Sequence, residues 1–305
     1  MAKRIGIAFG GGGARGLAHV GVMKALEPHP ELRPTLFAGS SAGSIAGALF
    51  AAGLSLSEIE RATGEMEWFR DVIRLSDTVR HIFEGFQGGL VSNEKLGETL
   101  NDLLGHRTFD QLPYDLAVVT SDLESRARVV FTSKRVVARL DRKPLTDFLP
   151  PPDYAKPGVQ TVIVSDVVDV GLAVRASCAV PGVFVPVKIA GMHLVDGGVF
   201  DQVPVDVVKG MGADLTIGVS LGLGYQGRQS GSAIQVLGAT ISYLGLHQIR
   251  RSLDMADLGF QVSGIDSRSP VREGQRDLIA IGEKDMQERI PLLRQRVRGP
   301  WAALY

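Results

Sequence analysis

The sequence predicts an α/β protein, a three-layer α/β/α sandwich built on a mostly parallel central sheet. Three observations predict it. Arg4 to Phe9 and Asp214 to Ser220 are short runs that are apolar at most positions. They lack the in–out alternation of a strand with one wet face, so they read as strands covered on both sides. Such runs alternate with segments whose apolar residues recur at helical spacing, the order expected of a parallel sheet with crossover helices. The first two strand-to-helix junctions are made of glycine, alanine and serine, as tight turns require.

Taken in order, the first strand, Arg4–Phe9, runs into Gly10-Gly11-Gly12-Gly13-Ala14-Arg15-Gly16. Leu17 to Glu27 follows as a helix, with Leu17, Val20, Met23 and Leu26 on its apolar side. Thr35–Ala38 is a second strand, and Ala42–Ala52 a small-residue helix closed by Gly53, a residue free to adopt the left-handed cap conformation. Ser55 or Ser57 caps the next helix, with Glu58 in its first turn. Glu65 to Leu90 carries Trp68, Phe69, Phe83 and Phe86 with three late glycines, the composition of a lid or acyl-chain wall; an ordinary pair of core helices fits it equally. Asn93–Leu104 is helical. Tyr114–Ser121 and Arg128–Thr132 are strands about the turn Asp122–Ser125.

Residues 134–158 hold five prolines and read as an excursion. Val187–Ala190 and Met192–Val195 form a hairpin about Gly191, and a helix is expected after Pro204. Ile234–Leu253 is a long helix. Leu258–Val262 and Leu278–Ile281 are expected as short strands, and Lys284–Val297 as a terminal helix interrupted by Pro291. With no internal repeat and no linker of biased composition, the chain reads as one catalytic domain over 1–305, with a core at about 5–206 and a C-terminal part at about 207–305.

Composition narrows the partners. The 305 residues are 45% hydrophobic and 22% charged, ordinary for a globular chain. Lys+Arg and Asp+Glu balance at 33 each, so no global field draws the protein to nucleic acid or to anionic lipid. No run of 18 apolar residues offers a membrane span. The single cysteine, Cys178, excludes an intramolecular disulfide and suits a reducing, cytoplasmic compartment, which leaves peripheral contact with the inner membrane face open. The basic run Arg289, Arg294, Arg296 and Arg298 is either a headgroup contact or a solvated helix face.

Chemistry centres on Gly39-Ser40-Ser41-Ala42-Gly43. A serine in G-x-S-x-G between a strand and a helix is the nucleophile-elbow pattern, whose sharp turn demands small neighbours. The helix beginning at Ala42 aims its free N–H groups at that turn. Gly11-x-Gly13-x-x-Gly16 also opens a helix, but the second strand ends without the carboxylate of a dinucleotide site, and no Gly-Lys-Ser/Thr follows. Backbone N–H groups of consecutive glycines instead suit an oxyanion hole. Arg15 either orders this loop or is a plain surface charge. None of the six histidines stands at a strand end with a partner. The alternative base is Asp196, delivered by a hairpin strand ahead of Gly197-Gly198, where burial would raise its pKa; a turn-forming role remains open. Asp201 and Asp206 compete with it.

Together Gly11-Gly12-Gly13-Ala14-Arg15-Gly16, Gly39-Ser40-Ser41-Ala42-Gly43 and Asp196-Gly197-Gly198 resemble the patatin-like phospholipase family, in particular its compact bacterial members. "GLAHVGVMKALE", "VVTSDLESRARVVFTS" and "VRASCAVPGVFVPV" extend the resemblance. It implies a patatin-like fold, related in architecture to the α/β-hydrolases. It also implies a Ser–Asp dyad of Ser41 and Asp196 without histidine, and an oxyanion hole from Gly11, Gly12 and Gly13. The expected activity is hydrolysis of acyl esters of phospholipids or lysophospholipids with no cofactor or metal. Ser40 stands where the family often has Thr, and Gln202 where Asn is usual. A soluble carboxylesterase or thioesterase, or a regulatory protein on the same fold, are the competing readings.

Overall fold

A computed structural model of the chain describes residues 3–65, 92–140, 161–165, 168–222, 233–265 and 275–298. Seven strands lie side by side in the order β5 (Thr161–Val164), β4 (Arg128–Thr132), β3 (Asp115–Asp122), β2 (Leu36–Ser40), β1 (Ile5–Phe9), β8 (Leu215–Ser220) and β9 (Leu258–Gln261). From β3 to β9 every neighbouring pair is parallel. β4 runs antiparallel to β3, and β5 parallel to β4. The expected fold class is therefore met: a mostly parallel sheet flanked by helices.

Both faces are covered, which is why β1, β2, β3 and β8 are buried along their whole length. One face holds Phe9, Phe37, Leu116, Val118 and Phe131 under α1 (Leu17–Leu26), α2 (Ala42–Ala51), α3 (Leu56–Glu65), α4 (Glu94–Leu104) and, later in the chain, α6 (Val170–Ser177). The other holds Ala8, Ala38, Ala117 and Val119 under α7 (Val205–Gly210) and α8 (Ala233–Met255). A cap at the start of α3 agrees with the sequence: Ser55 Oγ accepts the Glu58 amide, and the Glu58 carboxylate accepts the Ser55 amide, the reciprocal pattern of a capping box.

Three expectations change. Lys134–Leu140 is a helix, α5, at the start of the proline-rich excursion. Leu278–Ile281 is no strand; it lies inside α9 (Gln275–Gln287). A four-residue apolar run does not by itself distinguish strand from helix. Here Gly282 and Gly21 let α9 and α1 touch backbone to backbone, since a Cβ on Gly282 would lie 2.0 Å from the Ala18 carbonyl oxygen. The terminal helix begins at Ile290 as α10 (Ile290–Arg298), separate from α9. The proposed lid, Glu65–Leu90, falls outside the described residues beyond the end of α3.

The site depends on a small hairpin, β6 (Val187–Ile189) and β7 (Met192–Asp196). β7 pairs antiparallel with β3 through Thr120↔Asp196, Ser121↔Val195 and Asp122↔Leu194. β4 already occupies one edge of β3 at Thr120 and Ser121. β7 therefore lies on the other edge, where β2 has just ended with Ser40 opposite Val119. The ends of β2 and β7 meet at consecutive residues of β3.

Candidate active site

That end-to-end abutment brings Ser41 and Asp196 together. Ser41 follows β2 directly, and Asp196 is the last residue of β7. The Ser41 hydroxyl lies close enough to the Asp196 carboxylate to act on it as a donor, lowering its pKa. Asp196 Oδ1 also accepts the Gly198 amide at 2.7 Å. The carboxylate is buried, and burial raises its pKa to about 6, against the lowering effect of those two donors. It is thus ionised at neutral pH but a stronger base than an exposed aspartate.

Ser41 sits in a sparsely populated backbone region, at φ 52° and ψ −127°, a conformation that costs a non-glycine residue on the order of 1–3 kcal/mol. The turn is tight because its neighbours lack side chains. A Cβ on Gly39 would lie 2.3 Å from the Gly43 carbonyl oxygen, and one on Gly43 would lie 2.1 Å from that of Phe9. The Ser41 amide donates to Ser177 Oγ at 2.9 Å, and that hydroxyl donates to the Val119 carbonyl at 2.6 Å. Ser177 ends α6. It lies within the matching stretch "VRASCAVPGVFVPV", yet no local pattern marked it, because its role depends on α6 packing over β3.

The glycine loop lies beside Ser41. A Cβ on Gly11 would fall 3.3 Å from that of Ser41. Here the structure departs from expectation: the Gly11 amide donates to the Gln202 carbonyl at 3.2 Å. Of the three glycines, Gly12 and Gly13 alone have amides with no acceptor among the described residues. The first amides of α2, at Ala42 and Gly43, are equally free, since the α2 bonds begin with Ser44 to the Ser41 carbonyl at 2.8 Å. Arg15 is buried. Its Nε donates to the Gly12 carbonyl at 3.1 Å and its Nη1 to the Leu221 carbonyl at 3.0 Å. It ties the loop to the end of β8 and is not a surface charge. Gly16 gives the loop room against α2, because a Cβ there would meet that of Ala42 at 2.9 Å.

Among the described residues, no histidine is bonded to Ser41 or Asp196. His19 is wholly buried against Phe9, and burial lowers its pKa to about 4. Its Nε2 is 2.8 Å from the Gly10 carbonyl, bracing the loop from behind. His193 pairs with Glu124 at 2.6 Å. Asp201 and Asp206, the competing carboxylates, both belong to Arg128, at 2.7 and 2.8 Å. Their buried cluster anchors the turn after Asp196, because the Asp201 amide donates to the Gly197 carbonyl at 2.8 Å. The Cys178 thiol lies near Ser41 and Ser44, but burial, with Asp196 adding to it, pushes its pKa up and keeps it protonated. Gly197 packs on Val119, where a Cβ would lie 2.2 Å from the carbonyl oxygen, and the Gln202 side chain fills the space over Gly198 and Gly11. In the basic C-terminal run, Arg289 pairs with Asp285 and covers Phe260, and Arg294 pairs with Glu31. Those two charges are held against the protein.

A serine hydroxyl thus lies between a buried carboxylate and a set of amides with no acceptor among the described residues. That set suits attack on an ester carbonyl and stabilisation of the resulting oxyanion. Among the described residues no group of three His, Cys, Asp or Glu side chains is arranged to hold a metal ion.

Comparison with known proteins follows the same line. The family model for patatin-like phospholipase matches residues 7–209. The NTE family protein Rv1063c of Mycobacterium tuberculosis is 30% identical over 298 residues, covering 97% of this chain and 70% of that protein. Lysophospholipase nte1 of Aspergillus fumigatus is 27% identical over 224 residues, covering 72% of this chain and 12% of that much longer protein. Among solved structures, VipD from Legionella pneumophila shares the fold at a TM-score of 0.50 and 15% identity, covering 96% of this chain and 67% of that one.

Proposed function

The chain belongs to the patatin-like phospholipase family and is a lipid acyl-ester hydrolase; from that premise we propose that it cleaves phospholipids or lysophospholipids with a Ser41–Asp196 dyad. One observation carries the reading: β2 and β7 end at consecutive residues of β3, which sets the Ser41 side chain beside the buried Asp196 carboxylate.

Ser41 Oγ attacks the ester carbonyl as its proton passes to Asp196. The carbonyl oxygen, now negative, is held by the amides of Gly12 and Gly13, joined by that of Ala42 at the start of α2. One such donor contributes roughly 3 kcal/mol to the transition state. Asp196 returns the proton to the leaving alkoxide as the carbonyl re-forms, which leaves an acyl ester on Ser41. Water then attacks that ester, Asp196 takes its proton, and the fatty acid departs as Ser41 recovers its hydrogen. The Gly198 amide orients the carboxylate, the part a third side chain plays in a triad.

β8 and β9 belong to the same sheet as β1, which supports one catalytic domain spanning the C-terminal part as well. Among the described residues no helix is long and apolar enough to cross a membrane. A cytoplasmic enzyme meeting its substrate at the inner membrane face is the location we propose.

A fluorophosphonate is expected to label Ser41, and Ser41→Ala and Asp196→Asn each to lower ester hydrolysis by about a thousandfold or more without loss of fold. Labelling at another serine, or activity kept in either variant, would refute the dyad. Turnover of lysophospholipid against a short-chain soluble ester separates a lipid hydrolase from a general esterase.

A further inference from the structure

α8 connects β8 to β9, which are parallel, so it runs back along the sheet from the strand ends that carry the candidate site. Leu253 and Ala256 pack on Gly218 in the middle of β8. At 1.5 Å per residue, the turn Tyr243–His247 lies about 9–15 Å nearer the site end than Leu253. That is beyond the ends of β1 and β2, which stop one and two residues past the level of Gly218. The helix also touches the Gly197–Val199 turn that follows Asp196.

The two sides of this helix differ sharply. Gly245, Ile249 and Ser252 are buried against the sheet. The opposite side shows Tyr243, Leu244 and Leu246 at 60%, 67% and 50% exposure. Scattered exposed leucines are ordinary, but these three share one turn. The next turn presents His247, Arg250 and Arg251, all exposed. Arg250 and Arg251 have no carboxylate partner among the described residues, and the exposed Asp254 comes only after them. All these side chains fall within a sector of about 160° at 100° per residue. Along the axis the surface therefore passes from apolar, at the site end, to cationic.

We infer that this face of α8 docks the protein on an anionic lipid bilayer. Tyr243, Leu244 and Leu246 enter the boundary between headgroups and acyl chains, and Arg250 and Arg251 lie at the level of the phosphates. The polarity gradient matches that of half a bilayer, and its apolar end lies toward the strand ends that carry the candidate site. The protein as a whole is neutral, so the attraction is local to this patch. The inference rests on the proposed reaction with membrane lipid for its purpose, but vesicle binding tests it without turnover.

The experiment is co-sedimentation of the full chain with mixed phosphatidylcholine–phosphatidylglycerol vesicles and with pure phosphatidylcholine vesicles. Hydrolysis of a soluble short-chain ester and solution mass are measured alongside. The parent is expected to bind the mixed vesicles more tightly, and salt should weaken that binding. Leu244→Glu is expected to weaken it at least tenfold. Arg250→Gln with Arg251→Gln should weaken it about 25-fold, at roughly fivefold per arginine, and abolish the salt dependence. Soluble-ester turnover should persist in both variants. Vesicle binding unchanged in either variant would overturn the inference. So would a parent dimer that Leu244→Glu dissociates with vesicle binding intact, because the face would then bind a second copy. A parent that binds vesicles through this face yet hydrolyses no ester would refute the catalytic reading and leave the docking surface standing.

Discussion

The hydroxyl of Ser177 holds the backbone of Ser41, accepting its amide at 2.9 Å while donating to the Val119 carbonyl at 2.6 Å. Ser41 has a positive φ of 52°, a conformation that persists only where its surroundings impose it. Ser177 is one of those constraints, and it links three elements: the turn after β2, the end of α6 and the middle of β3.

Ser177→Ala removes both bonds and leaves a part-buried amide without an acceptor. Stability is expected to fall by about 1–3 kcal/mol. With Ser41 freed to drift, kcat is expected to fall at least tenfold while KM stays nearly constant. Loss of stability with kcat unchanged would reduce Ser177 to a packing role. Single-turnover kinetics beside urea denaturation distinguishes the outcomes.

Asp196 reverses the usual pH dependence of a carboxylate. Its folded pKa of about 6 lies above the ordinary 3.8, so between those values the native state binds more protons than the unfolded one. Stability then declines as pH rises from about 4 to about 6, by on the order of 3 kcal/mol at roughly 1.4 kcal/mol per unit. Asp196→Asn is expected to melt higher than the parent at pH 7, with the gain gone near pH 4. The parent's kcat/KM should fall below about pH 6 as the base is protonated. Equal melting temperatures at pH 7 would mean that the buried charge carries no cost.

Arg128 pairs with two carboxylates inside the protein, where burial and the neighbouring Asp206 raise the Asp201 pKa. Arg128→Met should cost about 3–5 kcal/mol, because it strands buried charges. It should also lower activity through the Asp201-to-Gly197 link. Adding Asp201→Asn and Asp206→Asn should restore most of the stability, as read from denaturation midpoints. Failure of the triple variant to recover would assign the loss to shape and not to charge.

Glycines of the two motifs differ in what they tolerate. Gly39→Ala drives a methyl into the Gly43 backbone, which cannot yield, and is expected to cost more than about 3 kcal/mol. Gly13, at φ 57°, has nothing within 4 Å of a built Cβ. Gly13→Ala should cost only about 1–2 kcal/mol of backbone strain. Thermal melting of the pair checks the contrast.

Local pattern determined much of this protein. Buried apolar runs, helical spacing and small residues flanking Ser41 set the alternation of strand and helix, and three motifs in order marked the candidate site. These signals are readable because burial on both faces and tight turns restrict which side chains a position accepts. Tertiary structure decided the rest. β7 takes the edge of β3 where β2 ends, and so brings Asp196 to Ser41. Arg128 claims Asp201 and Asp206. The Gln202 carbonyl occupies the Gly11 amide, and Ser177 reaches Ser41 from α6. α9 is a helix at Leu278–Ile281 because Gly21 and Gly282 admit it against α1. Each of these is a pairing between distant segments, and hydrophobic periodicity records only which face of a segment is buried, not which neighbour covers it.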